Sequence, residues 1–186
     1  MFSISCLSYH ALGQNTDTIK WSNKRQLTFD DFLAPIDTSS PFRAISHVNY
    51  KFKYDIKNDT IYFVSFSTFV KSRSRFNIIN KKSFCKSDII LLKHEQGHFN
   101  ILEIELRKLK NRIVNVKFDK GSYKLRIRKL INDFDLGEEI TQKLYDKETD
   151  LSRNEKKQEE WNKKIAQQLK DLDMYSLDTI KVPLQK

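Results

Sequence analysis

Between Val48 and Ile56 apolar and polar residues alternate without a break: Val48, Tyr50, Phe52, Tyr54 and Ile56 share one side, and Asn49, Lys51, Lys53 and Asp55 the other. A period of two is that of a half-buried strand. Lys57-Asn58-Asp59 supplies turn chemistry, and Thr60 to Val70, rich in β-branched and aromatic residues, reads as the hairpin partner. Upstream, Ile19-Lys20-Trp21 reads as a short strand, and Leu27 to Phe32 as a turn of helix with Thr28 as N-cap. Pro35 and Pro41 bracket a loop. His47 falls on the polar side of the alternation, which reads as a surface histidine.

After residue 86 the period changes to that of helices. Ser87 is placed to cap a long helix running from about Asp88 past Leu109. Beyond Gly121, residues 123–134 and 138–149 read as two further helices, joined by a short turn at Asp135-Leu136-Gly137. Ser152-Arg153-Asn154-Glu155 has the form of a capping box for a last helix, on which Trp161, Ile165 and Leu169 fall on one core-facing stripe. Residues 173–186 read as a loosely held tail. The pattern predicts an α+β fold, an N-terminal antiparallel β region packed on a helical C-terminal half, in one domain over residues 15–172.

Composition narrows the class. A chain of 186 residues that is 39% hydrophobic and 31% charged, with four Gly and three Pro, has the make-up of a folded domain with its own core. No stretch approaches the roughly 20 apolar residues of a transmembrane helix. The net charge of +10 gathers in clusters such as Lys71 to Arg75 and Arg126 to Lys129. Acids are abundant too and no nucleic-acid motif accompanies the bases, so they read as solvated faces rather than a nucleic-acid interface. Residues 1–14 carry no formal charge and place Ala11-Leu12-Gly13 before Gln14, as a signal-peptidase site requires. They read as the remnant of a secretory signal whose start is assigned too late, which points to the periplasm or beyond. With that segment removed, Cys85 is the last cysteine and no internal disulfide is possible.

The candidate chemistry lies at His94-Glu95-Gln96-Gly97-His98. On a helix, two histidines four residues apart are separated by roughly 6 Å along the axis and about 40° in azimuth, so both imidazoles can reach one metal ion. Glu95 is offset from that pair, where a carboxylate polarises water instead of binding the metal. Glu103 lies about 180° from His94 and is no ligand of the same ion. Gly97 costs about 1 kcal/mol relative to Ala inside a helix, which points either to close packing there or to a tolerated glycine.

Leu27 to Phe32, His94 to Ile101 with Glu103 and Arg107-Lys108-Leu109, Tyr145-Asp146-Lys147-Glu148-Thr149, and then Gln158 and Trp161 together resemble the bacterial domain-of-unknown-function family 922. That family is grouped with secreted zinc-dependent proteases of the zincin clan, and the likeness runs from about Ile19 to Leu169. It implies a zincin-like fold, Zn2+ bound by His94 and His98, Glu95 as general base, and a peptide or protein as substrate. In the family pattern the Tyr-Asp-x-Glu-Thr stretch is followed by x-His, whereas Asp150-Leu151 follows here. If that histidine is a ligand in relatives, the third ligand here falls to Glu148 or Asp150, with Glu148 preferred. The expectation is a zinc metallopeptidase of the bacterial envelope. The competing expectation is a degenerate, non-catalytic relative with a structural or interaction role.

Overall fold

The computed structural model describes residues 17–77 and 84–185, so the signal-like stretch 1–14 lies outside the described residues. The fold is mixed α+β, with antiparallel strands and three long helices. Strands β3 (Val48–Lys57) and β4 (Thr60–Val70) form the expected hairpin, in register from Lys57 opposite Thr60 to Val48 opposite Phe69. Its two turn residues, Asn58 and Asp59, have φ of 50° and 52°. Tight hairpins need that left-handed geometry, and Asn and Asp tolerate it best after Gly.

Strand β4 is the spine of the sheet. Its other edge is shared end to end by β1 (Thr18–Lys20), opposite Thr68–Val70, and β7 (Thr179–Gln185), opposite Thr60–Val64. An ion pair between Lys20 and Asp178 spans the junction of those two strands. A short β6 (Phe118–Asp119) adds to β7 in parallel, and β2 (Ala44–Ile45) pairs with β5 (Arg75–Phe76) in a separate ribbon.

Helix α1 (Lys86–Val114) lies on the sheet. Ile61, Phe63, Leu106, Leu109, Phe134 and Val182 interlock beneath it, all buried. Each such side chain contributes about 1.5–3 kcal/mol relative to exposure. Its N-cap is Cys85 rather than Ser87, because Asp88 reaches back to the Cys85 amide at 2.9 Å. Helices α2 (Tyr123–Thr149) and α3 (Glu155–Asp171) pack against the far side of α1, where Ile101, Ile104, Tyr145, Trp161 and Ile165 make a second core.

Two further sequence expectations are corrected. Residues 123–149 form one helix, not two: Ile127, Phe134 and Tyr145 are all buried and fall on one stripe that runs straight past Gly137. Burial along that stripe outweighs the cost of one glycine, about 1 kcal/mol. Nor is the C-terminal segment a loose tail throughout. Thr179–Gln185 form β7 inside the main sheet, with Val182 and Leu184 buried, so the β region is not confined to the N-terminal half.

A methyl group added at Gly137 would meet no atom within 4 Å. Gly137→Ala should therefore raise stability by about 1 kcal/mol and Tm by about 2–4 °C. Thermal unfolding monitored by circular dichroism checks this, and a loss of stability would mean the helix is broken at Gly137.

Candidate metal centre

His94 and His98 stand in the third and fourth turns of α1, on the side facing α2 and α3. Their Nε2 atoms lie 3.2 Å apart, and each lies 3.1 Å from Oδ1 of Asp146 on α2. The rings meet edge to face with centroids 4.7 Å apart. Three ligand atoms thus converge on one point, the sole group of three or more His, Cys, Asp or Glu among the described residues that could hold a metal ion. A tetrahedral ion with bonds of about 2.0 Å keeps its ligand atoms about 3.3 Å apart. The spacing fits.

The other ring nitrogens are held by hydrogen bonds, which leaves Nε2 as the nitrogen that takes up either a proton or a metal ion. Gln142 Nε2 donates to the His98 carbonyl at 3.1 Å and to the Glu138 carboxylate at 2.8 Å, both pure acceptors. Its Oε1 must therefore face His98 Nδ1, 2.7 Å away, which must carry the hydrogen. The same logic holds for His94. Tyr145 Oη donates to the His94 carbonyl at 3.2 Å, so it accepts from Gln158 Nε2 at 2.7 Å, and Gln158 Oε1 accepts from His94 Nδ1 at 3.0 Å. Supporting groups of this kind orient metal-binding imidazoles generally. Tyr145 also stacks on the His94 ring, centroids 4.6 Å apart and planes 13° apart. This close stack is why residue 97 is glycine: a Cβ there would lie 2.1 Å from Tyr145 Oη.

The site residues expected from sequence are not all brought together. His94 and His98 converge as expected, and Glu95, 4% exposed, lines the same cavity. Glu148 does not join them: its carboxylate accepts the Trp161 indole N–H at 2.7 Å. Two residues along a helix is about 200° of rotation, so Asp146 and Glu148 face opposite ways. Asp150, the other candidate, pairs with Arg153 at 2.8 Å. Asp146 takes the third place, which the sequence reading missed. Its signal was the polar row Glu138, Gln142, Asp146 at i, i+4, i+8. His47 stands apart from the group, half-buried, its backbone N–H bonded to Ser74 Oγ at 2.9 Å.

The cavity above the three ligand atoms holds about 510 Å³ and is bounded by the Pro41–Ser46 segment, the histidine face of α1, α2, and the turn at Leu151–Arg153. Ser46, whose buried hydroxyl has no protein partner among the described residues, lines it as well. No hydrogen-bond donor among the described residues engages Glu95. Burial would depress the His98 imidazolium, but the Asp146 hydrogen bond and the Glu95 charge overcome it and lift its pKa to about 9. Burial likewise acts to raise the Asp146 carboxyl, and hydrogen bonds from His94 and His98 reverse this and hold it well below the usual range. Without a metal, the cluster binds a proton tightly at the point where its ligand atoms converge.

Comparison with family models, curated proteins and solved structures finds no match to this chain, so the site is read from its own geometry.

Asp146→Ala should weaken metal binding by more than the 10- to 100-fold typical of losing a supporting residue, while Glu148→Gln leaves it within about threefold. Titration with zinc against a competing chelator dye decides between them, and the reverse order would return Glu148 to the site. Gly97→Ala should destabilise the protein by about 1–3 kcal/mol despite alanine's better helix propensity, because the methyl displaces Tyr145. Chemical denaturation checks the sign.

Proposed function

We propose that this chain is a zinc-dependent peptidase of the bacterial envelope, with His94, His98 and Asp146 as ligands and Glu95 as general base. One observation carries the reading. A buried carboxylate without a hydrogen-bond donor among the described residues lines the cavity into which three ligand atoms converge. Structural zinc sites are closed by four protein ligands, whereas catalytic ones keep three and leave a position open. The group here has three among the described residues. The resemblance to family 922, and the signal-like residues 1–14, support the class of reaction and the location.

When bound, zinc lowers the pKa of water to about 7 and polarises a peptide carbonyl. The chain's own residues supply the rest. Gln142 and Gln158 keep both imidazoles in the tautomer that presents Nε2. Glu95 takes a proton from the attacking water at its carboxylate and returns it to the departing amine. The cavity is large enough for several residues of an extended peptide. No helix among the described residues is long and apolar enough to cross a membrane.

The degenerate reading draws support from Leu151 replacing a histidine; Asp146, which could complete a three-ligand group, favours the peptidase reading instead.

Glu95→Gln should retain zinc near the wild-type ratio yet lower the cleavage rate of an unfolded protein substrate by 10²- to 10⁴-fold. His94→Ala should lose both. Metal analysis of the purified variants beside a fluorescent-casein assay checks this. Iron in place of zinc, or equal rates in Glu95→Gln, would contradict the proposal, since two histidines and one carboxylate also suit iron oxygenases.

A further inference from the structure

Helix α2 ends in three successive residues with left-handed backbone: Asp150 at φ 48°, Leu151 at 51° and Ser152 at 76°. L-residues pay roughly 1–2 kcal/mol each for that region, and only Gly, with Asn and Asp to a lesser degree, enters it readily. Aspartate at 150 is therefore accountable. Leucine at 151 is not. A glycine would make the same turn at lower cost, and the turn itself is needed, because it brings Asn154 to cap α3 and Gln158 to His94. The leucine side chain must serve something other than the turn.

It does not serve a core. Leu151 belongs to none of the buried clusters and remains 37% exposed. Instead it lines the cavity that holds His94, Glu95, His98 and Asp146. Apolar residues from the other elements, Phe42, Ile45, Val48 and Leu91, line the same cavity. Of the charged groups that line the cavity outside the metal cluster, Arg43 pairs with Asp88, Arg153 with Asp150, and Glu138 accepts from Gln142, which leaves Glu95 facing the cavity. Beside the metal cluster, Glu95 and the Ser46 hydroxyl, the cavity presents an apolar wall, with one member held at a backbone cost.

We propose that Leu151, with this wall, forms a subsite beside the metal that selects peptide substrates carrying a branched apolar side chain next to the scissile bond. The inference rests on the peptidase reading above. It makes Leu151 a specificity-determining residue, contacting substrate rather than metal.

Two hydroxamates separate the two readings. Acetohydroxamic acid and isovalerohydroxamic acid share one metal-chelating group and differ in an isopropyl group, and calorimetric titration into the zinc-loaded protein gives a Kd for each. Isovalerohydroxamate should bind at least about 10-fold more tightly, in line with the gain per buried carbon. In Leu151→Gly, and in Leu151→Asn, which tolerates the left-handed backbone, the ratio should contract to within about threefold. Tm should hold or rise. Equal affinities in the wild-type protein, or an unchanged ratio in both variants, would overturn the subsite. A fall in Tm with the ratio intact would make Leu151 a packing residue and overturn it too. Failure of both probes to bind would remove the metal reading itself, and the subsite with it.

Discussion

Tyr145 stands where the side chain of residue 97 would be. That single close approach sets the distance between α1 and α2, and the geometry of the candidate site follows from it. The phenol stacks on His94, meets His98 edge to face at 5.1 Å, donates to the His94 carbonyl and accepts from Gln158. It therefore touches both histidines and one of the two glutamines that orient them. The next residue along α2 is Asp146, so docking the tyrosine onto the glycine brings the third candidate ligand into place at the same time. Helical glycine is costly, and here the cost is offset by a contact that no larger residue permits.

Helix α1 carries two unlike buried faces. One bears His94 and His98; the opposite one bears Glu103, which accepts from Ser67 on β4 at 2.5 Å and from Arg107 at 2.8 Å. Both members of that ion pair are nearly inaccessible, and Arg107 also donates to the Leu169 carbonyl at 3.0 Å and lies over the Trp21 ring. As a surface pair these residues would contribute a few tenths of a kcal/mol. Buried, they are worth retaining only as a complete set, since removing one partner strands the other charge. The set ties α1 to the sheet and to α3, so the helix cannot rotate its histidines away from Asp146.

Legibility in the sequence varied with the kind of signal. The β3–β4 hairpin and α1 were readable because each has an unbroken period, two in one case and 3.6 in the other. Asp135-Leu136-Gly137 has turn chemistry that predicts a break in α2, although Ile127, Phe134 and Tyr145 keep one stripe across it. Strand β7 alternates strictly through Ile180, Val182 and Leu184, but Pro183 disguises it. The proline is tolerated because the neighbouring Leu184 N–H, not residue 183, turns toward the β3–β4 hairpin, where it bonds the carbonyl of the turn residue Asp59 at 2.8 Å. At the site, the i, i+4 pair of histidines is a local pattern and was legible. The third member of the group comes from 48 positions beyond His98 and is fixed only when α2 docks, whereas the sequence offers Glu148 and Asp150 as nearer matches to the family pattern. Helical azimuth selects Asp146 over Glu148 once the docked face is known.

In the proposed peptidase, two imidazoles and the Asp146 carboxylate hold one zinc ion with a position left open. Zinc K-edge X-ray absorption on protein loaded with one equivalent of the metal tests it directly. The expected result is a first shell of two nitrogen-type and two oxygen-type scatterers at about 2.0 Å, with the outer-shell scattering of two imidazoles. A sulfur scatterer from Cys85, a third imidazole, or a shell of oxygens alone would contradict it.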